Sequence, residues 1–336
     1  MVAINARAAV REQIGGVERL AREMAVRLPA LRPDRYRVIA PPAALAHRVG
    51  HVWEQLVLPA AAAGCELVYS PANLAPASST RNVVVIHDVA ALRYPEAYSP
   101  VYVAYQRRLL PLLVRGARLV ITVSEFSRRE LVDVLGAEPE RIKVIPEGVD
   151  ERLFAEHDLS GIPDRWGLRN PYVLAVGTVS ARKNLAALGP AARALADRGI
   201  ELVLAGSDRG YLRGSPAGHR RLGYVPDEQL PALYAGARAL AMPSRYEGFG
   251  LPCLEAMACG TPVVAASAAA LPETVGDAGL LVDPDDADAF AEALVAAASD
   301  EAVHARLAQA GRRRAAMFSW RETAESTDAV IGELLR

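Results

Sequence analysis

Along the 336 residues, short apolar runs alternate with longer stretches whose apolar positions recur at helical spacing. Runs at residues 2–4, 36–40, 67–70, 83–86, 119–123 and 144–145 have the length of buried strands. Between them the spacing predicts helices over 17–28, 98–113 and 125–135, the last capped by Ser124 and ended by Gly136. Residues 151–170, with Gly161, Pro163 and Gly167, break the rhythm. It restarts with strands at 172–176, 201–205, 222–225, 238–242, 262–265 and 279–282, separated by helices near 185–198, 227–235, 251–258 and 287–299. This alternation predicts an α/β protein with two mainly parallel open sheets in tandem. The stretch 301–336 is helical with an interruption near 317–320. Its final helix has no sheet position left in its own half and is expected to pack back on the first. The expected division is 1–160, 161–316 and 317–336.

Composition narrows the class. The length suggests two domains, and 51% hydrophobic with 23% charged residues describes a soluble globular chain. A net charge of −1 argues against a general nucleic-acid binder, which needs clustered Lys and Arg. Cys65, Cys253 and Cys259 form no spaced framework and read as core filling in a reducing compartment. No basic-then-apolar leader opens the sequence and no apolar run reaches spanning length, so a cytoplasmic location is expected. Residues 98–115 mix apolar side chains with Arg107, Arg108 and Arg115. They read as a buried helix with a solvated edge; a peripheral contact at the inner face of a membrane is the other reading.

The chemistry concentrates in 243–262. A strand end and a glycine-bearing loop lead into a helix starting near Leu251 or Pro252 and stopping at Gly260. The unpaired N–H groups of such a helix start make an anion site. Glu247 and Glu255 flank it. Open parallel sheets bind ligands beyond the carboxyl ends of their strands. That rule adds Gly177, Thr178, Arg182 and Lys183, then Gly206-Ser207-Asp208, then Tyr224 and Val225. Arg182 and Lys183 would oppose the dipole of the helix they precede, which favours a role beside a diphosphate.

Four segments carry a resemblance: Gly177-Thr178-x3-Arg182-Lys183-Asn184, Glu247-Gly248-Phe249-Gly250-Leu251-Pro252-x2-Glu255, Val123-Ser124-Glu125-Phe126-Ser127 and Val144-Ile145-Pro146-x-Gly148-Val149-Asp150. Together they resemble glycosyltransferase family 4, retaining enzymes with the GT-B fold. The resemblance implies two Rossmann-like domains whose parallel sheets face a central cleft, and a C-terminal helix crossing back to the first domain. It implies a nucleotide-sugar donor on the second domain and a glycan, lipid-linked or small-molecule acceptor on the first. Glu255 would bind the donor ribose and Glu247 would sit by the donor sugar. Phe249, Gly250 and Leu251 would offer backbone amides to sugar and phosphate, with Gly177, Thr178 and Gly206 alongside. Arg182 and Lys183 would neutralise the diphosphate, while Tyr224 and Val225 would line the base pocket. His87 and Asp88, delivered by a strand, would serve catalysis, with Asp88 orienting the imidazole or placing an acceptor hydroxyl. Asn73 and the Gly15-Gly16 loop are further acceptor-side candidates. The contexts of His87-Asp88 and of residues 123–127 resemble mannosyltransferase-like members. GDP-mannose is therefore one expected donor, and a UDP-sugar the other. No cofactor and no metal are expected. A nucleotide-sugar epimerase and a non-catalytic nucleotide-sugar-binding subunit are the alternatives.

Two departures stand out. Thr178 follows Gly177 where many members have Arg, and Glu147 stands where Asn is common. Other signals read as structural. His47 and His51 lack a third ligand. Asp283, Asp285, Asp286 and Asp288 precede an Ala-rich helix, where Asp suits the cap and the dipole.

Overall fold

The computed structural model describes residues 1–42, 45–46, 50–206 and 219–336. The chain divides into two compact units, Met1–Gly148 with Trp320–Arg336, and Val149–Ser319.

The first unit is built on β1 (Val2–Asn5), β2 (Tyr36–Ile39), β3 (Leu67–Ser70), β4 (Asn82–Val85), β5 (Leu119–Thr122) and β6 (Ile142–Val144). They form one sheet in the order β2-β1-β3-β4-β5-β6. Every neighbouring pair is parallel, so all six carboxyl ends lie on one edge. β1, β3, β4 and β5 are buried along their whole length, which explains why they read as continuous apolar runs rather than alternating ones. Helices Pro100–Gly116 and Glu125–Leu135 lay Leu110, Leu113 and Leu131 against Val84, Ile86 and Val120. Each such side chain, once buried, contributes roughly 1.5–3 kcal/mol. Ser124 caps the second of these helices by accepting from Ser127 N at 3.0 Å, and Gly136 closes it at φ 64°.

The second unit carries β7 (Tyr172–Val176), β8 (Glu201–Ala205), β9 (Arg220–Gly223), β10 (Ala239–Met242), β11 (Val263–Ala266) and β12 (Leu280–Val282). Their order is β12-β11-β10-β7-β8-β9, again all parallel. Helix Leu251–Ala258 is apolar nearly all round and buried at every position except Pro252. Such a helix belongs inside a protein. Its Met257 packs so closely on helix Glu301–Ala315 that a Cβ at Gly311 would stand 3.0 Å from Met257 Cγ.

The division falls at Gly148/Val149, where the sequence suggested 160/161. Val149 N donates to Phe318 O at 3.1 Å and Val149 bridges in parallel to Ser319. These contacts tie the beginning of the second unit to its end, so the irregular stretch after residue 149 belongs with the second unit. That stretch holds a 3-10 turn, Glu151–Phe154, and a short helix, Ile162–Trp166. The same bridge sets the closing division at Ser319/Trp320 rather than at 316/317.

The final helix, Trp320–Leu334, belongs to the first unit and packs on helix Gly16–Leu31. Thr323 Oγ1 donates to Pro146 O at 2.9 Å. Asp328 accepts from Tyr36 Oη at 2.6 Å and from Arg35 Nη1 at 2.7 Å, with Arg32 Nε at 3.4 Å. Among the described residues no helix is long and apolar enough to cross a membrane.

Candidate active site

In the second sheet the strand order reverses at β7, which lies between β10 and β8. The crevice outside the carboxyl ends of β7 and β10 is therefore a topological switch point, the usual ligand position in an open α/β sheet. Gly177 leaves β7 there, and residues 243–250 leave β10 there.

Gly177 has φ +139°, and a Cβ on it would stand 3.0 Å from both Cε and Nζ of Lys183. Glycine thus lets the lysine fold back over the strand end. Lys183 lies in the 3-10 turn Ala181–Lys183, which ends at Asn184 in the left-handed conformation. Asn184 Nδ2 anchors the turn by donating to Pro284 O at 2.8 Å. Lys183 Nζ lies 2.7 Å from Glu247 Oε1, and Arg182 Nη1 lies 3.1 Å from Glu247 Oε2. Arg182 Nη1 also donates to Tyr246 O at 2.9 Å. Glu247 and Lys183 are both buried. Burial alone would raise the Glu247 carboxyl. The charges of Lys183 and Arg182, with hydrogen bonding from Lys183 and Ser244, outweigh it and hold the group at about 2. Glu247 is therefore a fixed anion clasped by two cations.

Gly250 turns the chain into helix Leu251–Ala258 with φ +99°, and a Cβ there would meet Leu271 Cδ2 at 2.7 Å. No side chain caps this helix start. Thr274 Oγ1 donates to Phe249 O and holds the loop. One turn inside, the buried Glu255 accepts from Tyr234 Oη at 2.8 Å through Oε2. Gly206 N donates to Gly223 O at 2.8 Å, and a Cβ on Gly206 would collide with the Gly177 carbonyl. Thr178 is half-buried, Val225 buried and Tyr224 exposed. Ser207, Asp208 and His47 lie outside the described residues. Arg182, Lys183, Glu247 and Gly177 thus come into direct contact.

In the first unit the candidates gather on the carboxyl edge of β1, β3, β4 and β6. Asn73 holds φ 63°, and its Oδ1 accepts from His87 N at 2.7 Å. The His87 ring is buried, with Nε2 2.9 Å from Pro71 O and Nδ1 3.0 Å from Glu147 Oε1. Of the two roles expected for Asp88, the orienting contact falls to Glu147: Asp88 Oδ1 accepts from Ala90 N at 2.9 Å in a local turn, and the ring nitrogens face Glu147 and Pro71. Gly15 N donates to Glu18 Oε2 at 3.2 Å, opening helix Gly16–Leu31. A Cβ on Gly16 would lie 3.9 Å from Glu147 Oε2.

The aspartates before helix Ala287–Ser299 have local structural work. Asp286 Oδ1 accepts from Ala289 N at 2.9 Å as the cap, Asp283 Oδ1 accepts from Asp285 N at 2.8 Å, and Asp285 pairs with Arg245 at 2.5 Å. His51 Nδ1 faces Glu54 Oε2 at 3.8 Å. Among the described residues no three His, Cys, Asp or Glu side chains are grouped to hold a metal. Tyr234 and the partnership of Glu147 escaped the sequence reading. A tyrosine in a short apolar helix signals only core, and Glu147 stood out only as a departure from Asn.

Residues 170–300 match the family model described as Glycosyl transferases group 1, and residues 51–153 that of Glycosyltransferase Family 4. The O-antigen chain mannosyltransferase B of Escherichia coli is 35% identical over 277 residues, covering 78% of this chain and 72% of that protein. The chain spans about half the length of other curated relatives that it matches, including a mannosyltransferase and D-inositol 3-phosphate glycosyltransferases. Sucrose-phosphate synthase from Thermosynechococcus elongatus shares the fold with a TM-score of 0.75 at 22% identity, over 99% of this chain and 98% of that one. HepE from Anabaena, solved with UDP and glucose, does so with a TM-score of 0.72 at 22% identity, over 99% of this chain and 100% of that one. On these matches the chain belongs to the family 4, group 1, glycosyltransferases.

Proposed function

We propose that this protein is a retaining, metal-independent hexosyltransferase that moves mannose from a nucleotide diphosphate sugar to an acceptor hydroxyl. The observation that carries the reading is the contact of Arg182 and Lys183 with Glu247 beside the uncapped start of helix Leu251–Ala258, at the switch point of the second sheet. The cations and helix amides suit a diphosphate, and the ionised Glu247 suits a sugar whose anomeric carbon gains positive character. The C1–phosphate bond breaks with its electron pair going to the phosphate oxygen. The acceptor oxygen bonds C1 on the same face, and the acceptor proton passes to the departing phosphate. Arg182, Lys183 and the helix start act most strongly where that charge is greatest, which is what distinguishes catalysis from binding. Glu255, fixed by Tyr234, takes the ribose hydroxyls, while Tyr224 and Val225 flank the base.

Mannose is favoured by the name of the Escherichia coli relative, and the nucleotide by the His87-Asp88 context that points to GDP; UDP is the competing base, as in the ligand of HepE. A thermal-shift panel of GDP-, UDP-, dTDP- and ADP-sugars tests the donor, because a ligand of the native state raises its stability with occupancy. GDP-mannose is expected to give the largest shift, and Glu255→Ala to abolish it without loss of folding. Intact turnover in both Glu247→Ala and Lys183→Ala would sink the mechanism. Conversion of the donor without any acceptor would make the protein an epimerase instead.

A further inference from the structure

Glu147 is the departure for which the family pattern offers no reason, and the first unit supplies one. β3, β4 and β6 end at the same edge and bring Pro71, His87 and Glu147 together. A backbone carbonyl and a carboxylate only accept hydrogen bonds. With Pro71 O at 2.9 Å from Nε2 and Glu147 Oε1 at 3.0 Å from Nδ1, each ring nitrogen has an acceptor in front of it. A ring that donates to both carries two protons. Its backbone is pinned as well: His87 N donates to Asn73 Oδ1 at 2.7 Å, and Ser127 Oγ donates to His87 O at 2.8 Å. The other carboxylate oxygen of Glu147 faces Gly16 at the start of helix Gly16–Leu31, where a negative charge is favoured.

We propose that Glu147 is a positioning residue that holds His87 as an imidazolium with both N–H groups committed. His87 is then a fixed cation and does not take the acceptor proton. Burial opposes the charge on His87. The hydrogen bond and charge of Glu147, the Pro71 carbonyl and the charge of Asp88 outweigh it and raise the pKa. Glu147 and Asp88, both acidic, are the charged groups acting on the ring; Asn73, Ser127 and Pro71 contribute neutral contacts. Because the folded value is raised, the stability from this pair is full below about pH 6.5 and is lost as pH rises through the folded value.

The proton count stands on the geometry, whereas its meaning for turnover rests on the transferase reading above. Nitrogen-15 spectra of the imidazoles, titrated from about pH 5.5 to about 8.5 with His87→Gln to assign the ring, test the first. Wild-type His87 is expected to stay doubly protonated through neutral pH. Glu147→Gln should lower its proton affinity by about tenfold or more, and Glu147→Asp should restore part of it. A neutral wild-type ring at pH 7, including one facing a protonated Glu147, overturns the proposal. So does an unchanged titration in Glu147→Gln. If that variant does not fold, the Glu147→Asp titration decides, and an unshifted ring there is equally fatal. For turnover, the wild-type kcat profile should show no rise following loss of the His87 proton. A rise that tracks the His87 titration would make it the base and refute the inference. Absence of turnover with every donor would refute the transferase reading and leave the imidazole result standing.

Discussion

Glu247→Gln removes the carboxylate that pairs with both Arg182 and Lys183 in a buried cluster. In the folded protein the carboxyl sits at about 2 rather than 4.5. The difference between those two values, at about 1.4 kcal/mol for each pH unit, gives a contribution of about 3–4 kcal/mol at neutral pH. Because the folded value is depressed, that stability is present above the unfolded value near 4.5 and is lost as pH falls towards about 2. The variant also leaves two cations side by side. Burial and Arg182 already push the Lys183 ammonium down against the pull of Glu247, so Lys183 can release its proton and limit the loss to about 3 kcal/mol. Hydrogen exchange of the β10 amides, Ala239–Met242, reads the opening of this unit directly. We expect the variant to lose protection by about 3 kcal/mol at pH 7, with the difference from wild type shrinking on acidification through about pH 4. Equal protection at pH 7, or a gap that ignores pH, would refute the view of Glu247 as an ion-paired anion.

Asp328→Asn removes the charge facing Arg35 and weakens the acceptor of the Tyr36 hydroxyl, so the last helix should loosen by about 2 kcal/mol, read as faster exchange over Trp320–Leu334. Gly177→Ala should cost about 1–3 kcal/mol through its left-handed φ and displace Lys183, and the check is loss of the donor-induced thermal shift.

The strands were legible because burial on both faces makes them continuous apolar runs; residues 67–70, 172–176 and 201–205 coincide with β3, β7 and β8. Helix Leu251–Ala258 was readable for a different reason, the proline and glycine at its ends. The turn Trp53–Val57 was not foreseen, since its i→i+5 bonding has no sequence period of its own. In the site, Lys183 and Glu247 were picked out separately, yet their contact depends on the missing side chain of Gly177. Long-range pairs such as His87 with Glu147 arise from strand order, which local pattern does not encode.

The return of helix Trp320–Leu334 to the first unit also sets an order of assembly on the ribosome. The second unit, Val149–Ser319, is one uninterrupted stretch and can fold as soon as it has emerged. The first unit begins synthesis earlier but waits, with Arg35 and Tyr36 lacking Asp328, until that whole stretch has been made. A chain cut at residue 319 would therefore keep the whole second unit while leaving Arg35 and Tyr36 without Asp328 and uncovering the face of helix Gly16–Leu31 on which the last helix packs.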